Sequence, residues 1–293
     1  MNMKIDVAKL ARGPAFQNIQ RLFPSGFSML SIDWFTFVLK LVLVPTFIGA
    51  VSLAGRRWGT TVSGWLVGLP FTSGPVAFFL ALEEGPVFAA KASEAIMLGI
   101  ISVYAFCVVY GHVATRMGWL PSAVAGIAAF FVSTFLLETL TLPLSIELLL
   151  VVLVLVVSLL LMPRAVSSGA AVEHMRWEIP ARMVSATALV FLITGLAPLL
   201  GSQLTGLLSP FPIYATTLAA FTHRSQGSGE AAKLLRGLIV GSATFILFFL
   251  ILSLTIVTWG VAASFLVTVG ACFLAHLTSL QILRWRSDGL GLF

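Results

Sequence analysis

Charge is sparse in this chain: 17 Lys and Arg and 11 Asp and Glu make up 10% of its 293 residues. A soluble domain carries roughly a quarter charged residues, so the deficit excludes an ordinary water-soluble globular domain. Cysteine is nearly missing too. Cys107 and Cys272 both fall within apolar runs, which argues against a disulfide framework or a cysteine metal cluster and reads them as packing residues. Several enzyme signatures are absent: there is no H-E-x-x-H, no Gly-rich phosphate loop after a strand, no paired intramembrane Asp and no G-x-S-x-G elbow. The chain therefore reads as a non-enzyme, with no cofactor and no metal.

What is present is apolar: 59% of the residues are hydrophobic and the mean hydropathy is +1.05. The apolar residues come in runs, not in period-2 alternation. Leu142 to Met162 is interrupted only by Pro143, Ser145, Glu147 and Ser158. Runs of this kind mean membrane-spanning helices, not a β-barrel. The net charge of +6 calls for no nucleic-acid partner, because Lys and Arg at the cytoplasmic ends of spanning helices produce the same excess. Residues 1–30, with Lys4, Lys9, Arg12 and Arg21 set among apolar residues, read as an amphipathic or flexible tail at the membrane surface. A cleaved signal peptide fits them poorly.

Windows of about twenty residues predict spans at Phe35–Ala54, Thr61–Leu82, Ala92–Val113, Leu120–Leu137, Leu142–Met162, Met183–Leu200, Leu204–Thr222, Gly237–Val257 and Val261–Leu283. Polar turns separate them, among them "GRRWG" (Gly55–Gly59), "EEGP" (Glu83–Pro86) and the linker Pro163–Arg182. An offset of 142 then pairs Pro70 with Pro212, Lys40 with Arg182, Gly59 with Gly201, Gly85 with Gly227, Lys91 with Lys233, Gly99 with Gly241 and Gly118 with Gly260, without a gap. Matched glycines, prolines and basic residues are hard to obtain by chance, and such a period is the mark of duplication. The expected fold is all-α: a polytopic membrane protein of about nine transmembrane helices in two four-helix repeats joined by a fifth helix. The parts are a tail (1–30), repeat 1 (31–140), the joining helix (141–163), a linker (164–182) and repeat 2 (183–293). An odd joining helix inverts the second repeat. Basic residues agree, since Arg56, Arg57 and Arg116 in one half and Arg176, Arg182, Arg224, Lys233, Arg236, Arg284 and Arg286 in the other fall on one face only after inversion. The positive-inside rule makes that face, and the C-terminus, cytoplasmic.

The segments "GLPFTSGPVAFFLALEEGPVFAAKASEAIMLG" (Gly68–Gly99) and "PFPIYATTLAAFTHRSQGSGEAAKLLRGLIVG" (Pro210–Gly241) resemble the central part of the GlpM-type small bacterial inner-membrane proteins. Each half is similar to one such protein, through Lys40, Gly64 and Pro70 in the first and Arg182, Gly206, "PFP", "GSGEAAK" and Lys233 in the second. The first half departs at Phe88, where the second has Glu230. The resemblance implies a bacterial inner-membrane location and a four-helix unit that pairs with an inverted copy.

Chemistry is expected where helices break. Pro70 and Pro75, and Pro212 in the other half, remove backbone donors inside apolar stretches, and Gly74 extends the disruption. Irregular backbone at membrane depth survives only where it lines a cavity or is packed by protein. Inverted repeats with broken helices meeting near the midplane are a transporter arrangement. Thr72, Ser73, Tyr214, Thr216 and Thr217 would supply hydroxyls to a small solute, and Lys40 and Arg182 a symmetric pair of cations. The competing reading makes the breaks simple kinks, with Ser and Thr bonded to their own backbone and Lys40 snorkelling to the interface. Glu147, a turn inside the fifth helix, is the candidate proton-coupling carboxylate. Glu138, His112, His174 and His223 read as interfacial, Lys91 and Lys233 as solvated, and His276 as a packed polar residue. The expected function is transport or export of a small, anionic or amphiphilic solute. The alternative is a non-transporting inner-membrane component that assists assembly of an envelope polymer or lipid.

Overall fold

The computed structural model describes residues 36–46, 49, 53, 70, 72–163 and 178–290; for 178, 181–182, 214, 225–226 and 276–290 it describes the backbone only. The chain divides into two units, Met1–Leu39 and Lys40–Phe293. Of the first, residues 36–39 are described, as the first turn of helix α1 (Thr36–Thr46). The rest concerns the second unit, which contains helices α2 (Ser73–Glu83), α3 (Pro86–Ala114), α4 (Trp119–Glu138), α5 (Leu144–Leu161), α6 (Glu178–Leu208), α7 (Ile213–Gln226), α8 (Ser228–Gly241) and α9 (Ala243–Leu290). No strand occurs among the described residues.

Among the described residues, five stretches are long and apolar enough to cross a membrane: Pro86–Ala114, Trp119–Glu138, Leu144–Leu161, Met183–Leu208 and Ser228–Ala275. The chain is a multi-pass membrane protein by that measure. Helix α3 is its centre, packing against α2, α4, α5, α6, α8 and α9. A helix apolar all round must be buried or face lipid, and α3 and α5 are the two outcomes. The apolar window is 78% buried in α3 but 17% in α5. In α5 only Glu147, Val151 and Ser158 turn inward, while Leu149, Leu153 and Leu160 are exposed, as suits a lipid-facing surface.

Small residues let the neighbours of α3 approach closely. A Cβ added to Gly206 would lie 2.5 Å from the Ala92 carbonyl oxygen and 2.5 Å from Ala95 Cβ, and one on Gly99 would lie 2.9 Å from the Leu207 oxygen. Close backbone contact of this kind replaces the hydrophobic effect, which does not drive helix association in lipid. Polar bonds add to it. Tyr104 Oη lies 2.5 Å from Ser242 Oγ, and because Ser242 donates to the Ile239 carbonyl, the tyrosine is the donor. Thr134 donates to Ser102 Oγ at 3.0 Å.

Helices α3 and α8 begin earlier than hydropathy predicts, at Pro86 and Ser228 instead of Ala92 and Gly237. Gly85 (φ 91, ψ 168) and Gly227 (φ 94, ψ 170) adopt a backbone conformation that L side chains rarely reach. Each turns the chain sharply enough for a new helix to start at the next residue. Near their starts the two helices carry Lys91 and Glu94, and Glu230 and Lys233, which an averaged hydropathy window counts against a helix.

Candidate functional site

The two proline-bearing segments meet. Ser73 Oγ donates to the carbonyl oxygen of Ser209 at 3.2 Å, with both residues fully buried. The meeting point is level with the middle of α3, because a Cβ on Gly99, midway along that helix, would lie 3.0 Å from Pro210 Cγ. Pro70 and Pro212 do not kink continuous helices here; each stands just ahead of one. Helix α2 starts at Ser73, with the Pro70 carbonyl accepting from the Gly74 amide. Helix α7 starts at Ile213 with Pro212 as its N-cap. Proline, which lacks a donor, is tolerated at such a start and not in an interior.

Both helices are too short to span. At about 1.5 Å per residue, α2 with 11 residues reaches about half, and α7 with 14 about two-thirds, of a hydrocarbon core of about 30 Å. They leave the junction in opposite directions. Helix α2 ends at the Gly85 turn beside the start of α3, while His223 near the end of α7 lies against Tyr110, close to the other end of α3, at 3.5 Å. Two N-terminal helix ends, each with partial positive charge, thus converge at the middle of α3.

The remaining candidates are placed less uniformly. Thr72 and Pro75 are half-buried, and Thr72 makes no side-chain cap bond. A Cβ on Gly74 would touch the Pro70 ring at 3.7 Å and Phe248 at 3.9 Å. Thr216 and Thr217 donate to the carbonyls of Pro212 and Ile213, four residues back, so their hydroxyls serve their own helix. Tyr214 and Arg182 lie on α7 and α6, and their side chains are outside the described residues, as are His174 and the His276 side chain.

Lys40 occupies a second locus. It is 6% exposed; its ammonium pairs with Glu83 Oε1 at 2.5 Å, donates to Thr194 Oγ1 at 2.6 Å and lies over the rings of Phe79 (5.3 Å) and Phe191 (5.6 Å). Glu83, at the C-terminal end of α2, escaped the sequence reading because it sits in the polar turn "EEGP", which looks like a solvated connection. The only signal pointing to it was a buried cation needing a counter-ion.

Glu147 lies on the inward stripe of α5, with Oε2 buried and, among the described residues, without a hydrogen-bond partner. Glu138 is exposed at the end of α4. Lys91 is exposed, and Lys233 pairs with Glu230 at 3.2 Å along α8. Thr205 and Ser264 also carry buried hydroxyls with no partner. Each stands four residues after a glycine with positive φ, Gly201 (71) or Gly260 (75). A helical Ser or Thr ordinarily bonds the carbonyl four residues back, and at both sites that carbonyl belongs to the departing glycine.

Comparison of the chain with protein-family models, with curated proteins and with solved structures finds no match.

Proposed function

We propose that the chain is a bacterial inner-membrane secondary transporter or exporter of a small, anionic or amphiphilic solute, working by alternating access around two broken helices. The observation that carries this reading is the Ser73–Ser209 contact at the middle of α3, from which two helices too short to span run to opposite ends with their positive N-termini inward. Transporters use such half-helices to hold anions near the midplane. Duplication with inversion is part of the proposal. In its favour, Gly85 and Gly227, equivalent under the offset of 142, share φ and ψ within a few degrees yet lie toward opposite ends of α3. Nine spans follow when residues 31–69 are counted as completing the first two, and kinship with the GlpM-type proteins rests on the residues quoted above. Glu147 is the proposed proton-coupling group, Arg182 the partner cation to Lys40, and Thr72, Pro75, Tyr214, Thr216 and Thr217 line the path.

The second reading, a non-transporting assembly component, is favoured by one observation: Pro70, Ser73, Gly74, Ser209, Pro210 and Pro212 are all buried. Under the transport reading that is an occluded state. The two separate in a comparison of small-molecule levels inside and outside cells that carry or lack the gene. Transport expects one class of small anion to redistribute across the membrane and to return with the wild-type chain. An unchanged distribution of every solute, alongside a defect in envelope polymer or lipid, sinks the transport reading.

A further inference from the structure

Lys40 is built in as a fixed cation. Its side chain is 7% exposed, two rings flank it, and Thr194 presents lone pairs to it because the hydroxyl hydrogen is committed to the Val190 carbonyl at 2.8 Å. Glu83 is a poorer permanent partner. Its side chain is 27% exposed, so the carboxylate sits at the rim while the ammonium sits inside. It is the last residue of α2, where the helix dipole is negative and disfavours a carboxylate. The adjoining Glu84 carboxyl is pushed above its ordinary range by burial and by the charge of Glu83. The chain then turns at Gly85, where, among the described residues and its chain neighbours aside, no atom lies within 4 Å of a Cβ position, so the turn that follows Glu83 is open on that side.

We propose that Lys40, Thr194, Phe79 and Phe191 form a carboxylate-binding site in which Glu83 is an internal occupant, displaced when the carboxylate of a small anionic solute takes its place. The exchange swaps one ion pair for another, so the buried ammonium is never left without a counter-ion, which would be strongly destabilising. Glu83 moves to water, and α2 is released from its tie to Lys40. Identifying the solute as cargo rests on the transport reading; the site itself does not.

The test uses purified full-length protein in detergent and acetate as the probe. Glu83→Ala removes the occupant, and its thermal midpoint is expected to fall below wild type. Sodium acetate is expected to restore half or more of that loss, while sodium chloride at equal ionic strength restores little, since a ligand that binds only the folded state stabilises it. Wild type, already occupied, should respond less to acetate, and Lys40→Met/Glu83→Ala should respond no more to acetate than to chloride. Glu83→Gln, which keeps the volume and loses the charge, is read in the same way if the alanine variant does not fold. Equal responses to acetate and chloride in both single variants, or an acetate response surviving in the double variant, overturn the proposal. Because the assay reads binding without transport, acetate rescue with an unchanged solute distribution leaves the site standing and removes the cargo, and the reverse pair of results does the opposite.

Discussion

Gly195 and Gly206 lie on either side of the break at Gly201 in α6 and differ in what surrounds them. Among the described residues, its own helix aside, no atom lies within 4 Å of a Cβ at Gly195, whereas one at Gly206 would collide with the Ala92 carbonyl oxygen and Ala95 Cβ, both 2.5 Å away. Gly206→Ala therefore forces α6 off α3 and is expected to cost about 1–3 kcal/mol, the usual range for overpacking. Gly195→Ala is expected to be neutral or to gain about 0.4–1 kcal/mol by restricting the unfolded chain. Thermal unfolding of the two variants in one detergent checks this, and equal midpoints would contradict the close approach. The residue scale is also where the sequence was least readable. Lys40 could be picked out because an isolated cation in an apolar run must be explained. Its partners Glu83, Thr194, Phe79 and Phe191 could not, because they are brought to it only by the folding of α2 and α6. The same holds for Glu147: its depth in α5 could be read from hydropathy, but not that its Oε2 is buried without a partner among the described residues.

Among the elements, α2 and α7 carry the argument. Proline chemistry pointed to interruptions at Pro70 and Pro212, because a residue without a donor cannot continue a helix unaided, and helices α2 and α7 begin just after those residues. It did not tell a kink from a helix start, since that depends on where the freed backbone groups find partners. Here the Pro70 and Pro212 carbonyls accept the first bonds of α2 and α7, and Ser73 closes the gap to Ser209. Cysteines at Ser73 and Ser209, in a chain lacking Cys107 and Cys272, are therefore expected to form a disulfide on mild oxidation. A cysteine at Ser73 paired with one at Thr139 is not. Mobility shift after proteolysis between the two positions reads the outcome, and the absence of the first cross-link in all conditions would separate the two starts.

For the whole molecule, the expected inversion has consequences on the membrane scale. His223 against Tyr110 brings the end of α7 toward the end of α3 that leads to Arg116, and both regions are basic, as the positive-inside rule requires of a cytoplasmic face. Reporter fusions after Arg116 and Arg224 are expected to report cytoplasm, and fusions after Glu84 and Glu138 the opposite side. Discordant results for Arg116 and Arg224 would break the inverted arrangement. The multi-pass helical architecture could be read from composition because a bilayer demands long apolar helices. The exposed flank of α5 and the buried core of α3 could not, since both are apolar all round and only packing distinguishes lipid from protein neighbours. The most direct test of the central claim, that the junction of α2 and α7 is a binding site reached alternately from the two sides, is accessibility of single cysteines at Ser73 and Thr216 in the cysteine-free chain. A small water-soluble thiol reagent is expected to label both positions, with labelling from one side rising as labelling from the other falls when conditions shift the protein between states. A thiol held in packed protein or lipid stays protonated and unreactive, so resistance of both positions from both sides in every condition would make the junction a packing feature and contradict the account.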